Sequence, residues 1–115
     1  MANTFKLSSK AGVTSLDVIY TAGSGKTAIV LGLILGNTTT SQVTATVTLT
    51  SDTANRTNAN DEVNQTVELI TNAPIPAGSS LELLAGNKVV LETTDSISVS
   101  ATGATDVALS YMEID

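Results

Sequence analysis

The chain has 115 residues, enough for one compact domain with a sizeable core. About 42% of it is hydrophobic, and aliphatic residues carry nearly all of that, since there is one Phe, two Tyr and no Trp. Eleven acidic against five basic residues give a net charge of −6, which argues against nucleic acid, and the lack of Cys and His removes disulfides and the usual ligands of zinc, copper and haem.

The first ten residues, MANTFKLSSK, have no long apolar core and do not read as a signal peptide. Thr4 to Ser8 alternates weakly, with Phe5 and Leu7 on one face, so residues 1–10 are expected to form a strand-like N-terminal arm. Ser15 to Tyr20 is a second candidate strand. Glycines at 23 and 25 then predict a tight hairpin turn needing positive φ. Thr27 to Leu35 follows as a nearly unbroken aliphatic run, which reads as a strand buried on both faces, with Gly32 marking a bulge or a close backbone approach. The run from Ala28 to Leu35 is too short to span a bilayer, so no membrane association is expected.

Gln42 to Ser51 alternates without a break: Val43, Ala45, Val47 and Leu49 face one way, and Thr44, Thr46, Thr48 and Thr50 the other. The short polar link GNTTTS predicts an antiparallel hairpin with the preceding strand. Residues 52–62 (DTANRTNANDE) have no apolar period and read as an exposed polar loop. Thr66 to Ile70 resumes a strand, which Pro74 and Pro76 are expected to end. Ser80 to Leu84 and Lys88 to Glu92 flank the turn Ala85-Gly86-Asn87 and predict a second hairpin. Ser96 to Ser100 places Ile97 and Val99 inward. Asp106 to Ile114 closes the series with Val107, Leu109, Tyr111 and Glu113 on one face. Eight or nine short strands and no helix predict an all-β fold, a single antiparallel β-sandwich spanning residues 1–115, with a jelly roll as one arrangement.

The motifs that suggest chemistry fail on inspection. TAGSGKT (21–27) resembles a phosphate-binding loop, G-x-x-x-x-G-K-[ST], but the first glycine of that pattern falls on Tyr20. The segment after Thr27 reads as a strand, where a phosphate loop needs a helix N-terminus. The carboxylates Asp61 and Glu62, and Glu92 and Asp95, show no convergence as acid–base pairs. A calcium site at Asp52 and Asp61 would lack the dense acidic loop pattern. Ser24 with Lys26, and Ser9 with Lys10, have nothing to orient them as nucleophile and base. The N-x-Thr triplets at Asn37, Asn55 and Asn64 read as ordinary loop and strand residues. The expectation is a non-enzymatic protein with no cofactor.

The segments GSGKTAIVLGLILGN (23–37), IPAGSSLELLAGNKVVLETTDSISVSA (75–101) and DVALSYMEI (106–114) resemble small virion structural proteins of tailed phages, chiefly marine and cyanobacterial ones. That resemblance covers nearly half the chain and carries over no catalytic residue. It implies a protein of the virus particle, made in the host cytoplasm, whose partners are other virion proteins and further copies of itself. The major capsid protein is the favoured partner and tail proteins the alternative. A capsid decoration or cement role leads; a tail, collar, baseplate or fibre-attachment subunit follows, then a host-surface or glycan-binding module. The residues expected to meet a partner are Phe5 and Lys6 in the arm, Thr44, Thr46 and Thr48 in the threonine stripe, and Asn55, Arg56 and Asp61 in the polar loop.

Overall fold

The computed structural model describes residues 3–52, 64–84 and 87–114. It contains nine strands: β1 Asn3–Val13, β2 Asp17–Thr21, β3 Thr27–Asn37, β4 Val43–Ser51, β5 Gln65–Ile75, β6 Ser80–Leu83, β7 Val89–Leu91, β8 Ser96–Ala101 and β9 Thr105–Ile114. The described residues include no helix. One sheet runs β1-β9-β3-β6, with β7 also on β3; the other runs β2-β8-β4-β5. Every pairing is antiparallel. Because β6 and β7 occupy one line along β3, the nine strands fill eight positions in the strand order of a jelly roll.

The two sheets bury their inner faces against each other. Val30, Leu33 and Leu35 of β3 and Leu109 of β9 meet Val47, Ile97 and Val99 of the opposite sheet, all at or near zero exposure. The alternation in β4, β8 and β9 is the one read in the sequence: Val107, Leu109, Tyr111 and Glu113 all face inward. Positive φ at Gly25 (73°) and a bulge between Val30 and Gly32 also agree with that reading.

The structure corrects how the strands are joined. β3 and β4 are not a hairpin but lie in opposite sheets, and so do β2 and β3 on either side of the glycine turn. The corner after β3 is built on Asn37, which is 3% exposed. Its Nδ2 donates to the carbonyls of Ser41 (2.8 Å) and Ile75 (2.9 Å), while its Oδ1 accepts from Thr39 N (2.9 Å) and Thr39 Oγ1 (2.7 Å). The side chain thereby holds together a bend that carries the chain across the sandwich.

β6 and β7 do not pair with each other either. Both pair with β3, β6 along Leu33–Gly36 and β7 along Ala28–Val30, leaving a gap opposite the Gly32 bulge. β3 alternates in burial rather than being buried on both faces, and Ile34 is 46% exposed. β5 continues through Pro74 to Ile75, because it is an edge strand where a missing N–H can face away from the ladder. Thr4 to Ser8, read as a strand with Phe5 and Leu7 on one face, lies within β1, which pairs with β9 from Asn3↔Ile114 to Lys10↔Val107.

Candidate interaction surfaces

Directly opposed residues in an antiparallel pair point to the same side, so register maps each outer face. On the β1-β9-β3 sheet, Phe5 pairs with Met112, Met112 with Ile29, and Ile29 with Val90. Four apolar side chains therefore cross the whole outer face in one row. Phe5 is 73% exposed and Val90 57%. The rows beside it are Asn3–Ile114–Thr27, Leu7–Ser110–Gly32 and Ser9–Ala108–Ile34–Glu82. Among these residues Glu82, at the edge, is the one charged group. Beyond Ile34, where Gly36 and Ala108 supply little side chain, lies a hollow of about 400 Å³ lined also by Ser9, Ala11 and Asp106.

The other sheet has a hydroxyl-rich outer face. One row reads Thr21–Ser96–Thr50–Thr66 and the next Val18–Ser98–Thr48–Glu68. The threonine stripe is where the sequence placed it, and part of it is tied up within the chain. Thr46 Oγ1 accepts from Asn72 N (3.0 Å) at a bulge, Thr44 N donates to Thr102 Oγ1 (2.9 Å), and Thr48 is 9% exposed. Of the described residues expected to meet a partner, Phe5 is the most open. Asn55, Arg56 and Asp61 lie outside the described residues.

At the edge where β1 passes over β2 sits a cluster that the sequence did not single out. The Glu113 carboxylate accepts from Lys6 Nζ at 2.9 Å and from the Tyr20 hydroxyl at 2.8 Å, with Lys26 Nζ 3.9 Å away. The rings of Tyr20 and Tyr111 pack beside it, centroids 4.1 Å apart. The Lys6 ammonium, then the Tyr20 hydroxyl, hold the Glu113 carboxyl below its ordinary pKa against the upward push of burial. Burial, followed by the Glu113 carboxylate, pushes the Tyr20 phenol well above its ordinary value. The signal was present in the sequence: Glu113 stands in phase with Val107, Leu109 and Tyr111, and a carboxylate on a core-facing position needs cationic or hydroxyl partners.

Lys26 is thus turned toward Glu113, and the chain after it enters β3, so the TAGSGKT stretch carries no helix N-terminus for a phosphate. Asp95, 2% exposed, accepts from the backbone N–H of Asp52 (2.7 Å) and of Glu92 (3.0 Å), tying the end of β4 to the turn before β8. Among the described residues no three carboxylates gather at metal-binding distance, and no helix is long and apolar enough to cross a membrane.

No family model matches this chain, and no curated protein does. Among solved structures, one from Bacillus endospore appendages, described as a novel family of disulfide-linked pili, is similar over 97% of this chain and 85% of its own. The identity is 13% and the TM-score 0.46.

Proposed function

We propose that this protein is a non-enzymatic structural subunit of a tailed-phage particle that decorates or cements the capsid exterior. The observation that carries the reading is the apolar row Phe5–Met112–Ile29–Val90, set in a face almost without charge on a molecule of net charge −6. A soluble monomer rarely leaves such a band open, and its burial against a neighbour removes apolar area from water at about 25 cal/mol per Å². The function is then mechanical: subunits laid across capsomer junctions add contacts that resist internal pressure. The resemblance of residues 23–37, 75–101 and 106–114 to phage particle proteins supports the same reading, and jelly rolls recur among viral capsid domains. A glycan-binding module is less well supported, because both tyrosines are buried and Phe5 is the one aromatic ring left for stacking.

Copy number in purified particles tests the proposal. Hundreds of copies per particle are expected, whereas a dozen or fewer would move the protein to the tail, collar or baseplate. Phe5→Glu is expected to fold normally, since the ring is exposed, and to lose incorporation into particles by tenfold or more. Unchanged incorporation would remove the apolar row from the argument.

A further inference from the structure

The two sheets offer four edges, and three of them are blunted. β5 carries Pro74, two bulges against β4 and a left-handed Asn72 (φ 48°). β2 has five residues and a bulge between Val18 and Tyr20. β6 and β7 divide their edge into two short pieces. These are the usual devices against strand addition. β1 is different: its ladder with β9 runs from Asn3 to Lys10 without proline, glycine or bulge, and Phe5 and Leu7 stand open on its outer face, 73% and 64% exposed. Among the described residues no strand pairs with its other side.

We propose that β1 is a self-association edge, pairing antiparallel with β1 of a second copy about a two-fold axis at Leu7. The inference rests on the assembly reading above, and it names an edge distinct from the apolar face. Charge favours a second copy as the occupant. Two of the five basic residues, Lys6 and Lys10, lie on β1, which has no acidic residue. With Lys6 and Lys10 offsetting Glu113 and Asp17, this strand is a nearly neutral strip on a molecule of charge −6, so two copies meet here with least repulsion.

Charge also sets the register. A two-fold axis perpendicular to the sheet keeps outer faces together, so the pairing sums must be even. Centring on Lys6 would oppose Lys6 to Lys6, and centring on Ser8 would oppose Lys6 to Lys10. Centring on Leu7 places Lys6 against Ser8, Lys10 against Thr4, and the two Leu7 side chains together, with nine residues (3–11) overlapping on the numbering of β1. The lysines do not block approach, because they lean to the inner side, where their ammonium groups meet Glu113 (2.9 Å) and Asp17 (2.8 Å). The result is a C2 dimer whose two apolar rows lie on one continuous sheet.

The chain has no cysteine, so introduced thiols report the register directly. Opposed residues in an antiparallel pair have Cα atoms about 4.5 or 5.5 Å apart, within the range a disulfide spans. Leu7→Cys is expected to oxidise to a covalent dimer. Phe5→Cys is not, because in this register the two Phe5 positions lie about four residues apart along the strands, roughly 14 Å. Sedimentation of the unmodified protein is expected to show a dimer that Leu7→Lys weakens by at least about tenfold. Because Leu7 is exposed, that variant should keep the wild-type circular dichroism spectrum. Val67→Lys, an exposed control on the β5 edge, should leave the dimer intact. A wild-type protein that stays monomeric at hundreds of micromolar, a dimer indifferent to Leu7→Lys, or equal cross-linking at positions 5 and 7 would each overturn the pairing. A monomer that still decorates particles would overturn it and leave the particle role standing; a Leu7-centred dimer absent from particles would uphold it and sink that role.

Discussion

Glu113 occupies a position where the two-residue period of β9 calls for an apolar side chain, and the fold answers with Lys6, Tyr20 and Lys26. Its carboxyl is held below the ordinary value in the folded state. The stability it contributes is therefore complete above the unfolded-state pKa, about 4.3, and is lost as pH falls through the lower folded value. Tyr20 behaves oppositely. Its pKa is raised on folding, so its contribution is complete below the unfolded-state value of about 10 and declines as pH climbs beyond it. Urea midpoints measured from pH 7 to pH 3 should fall less steeply for Glu113→Gln than for the wild type, and Tyr20→Phe should flatten the decline above pH 10. Glu113→Ala strands the Tyr20 hydroxyl and is expected to cost about 1–3 kcal/mol. In the sequence this cluster was half legible. The phase of Glu113 was visible, but its partners come from β1, β2 and the turn before β3, and no local pattern links residues so far apart in the chain.

Strand positions were legible because period two is a local property, whereas strand partners are not. Alternation in 42–51 shows which face of β4 is apolar, yet it is equally compatible with a hairpin or with a crossing to the opposite sheet. By its length and polarity alone the link GNTTTS reads as a hairpin. What decides the matter is Asn37, whose amide bonds to Ser41 and to Ile75 on the far side of the corner. Asn37→Asp should therefore be worse than Asn37→Ala: the alanine removes the donor to the Ser41, Ile75 and Pro76 carbonyls, of which Ser41 and Pro76 keep Thr39 Oγ1 and Ser79 N, while the carboxylate sets a buried charge against all three. Thermal unfolding should rank the two in that order, with losses of at least about 2 kcal/mol for the aspartate. A second element-level test lies at the β8–β9 bend. A Cβ on Gly103 would come within 2.7 Å of Val43 Cγ1, and Val43 is 3% exposed on a stiff β-branched side chain. Gly103→Ala is expected to cost about 1–3 kcal/mol by overpacking. Combined with Val43→Ala, the loss should be smaller than the sum of the two single losses, since the second change removes the atom that clashes.

At the scale of the molecule the chain crosses between sheets at every connection except β4–β5 and β6–β7. Neither sheet is a contiguous stretch of sequence, and both share one core, so neither can melt alone. Far-ultraviolet circular dichroism and tyrosine fluorescence should follow a single coincident transition in urea, and separated midpoints would contradict this account of the core. The crossing pattern also fixes an order in time. β9 is the last strand in the sequence and yet lies inside its sheet, between β1 and β3. During synthesis at about 5–20 residues per second, β1 and β3 emerge early and lack their shared partner until residues 105–114 have left the ribosome. A ribosome that stalls short of β9 therefore leaves a product with no ladder for β1 and one side of β3 unpaired, a natural substrate for chaperones and proteases.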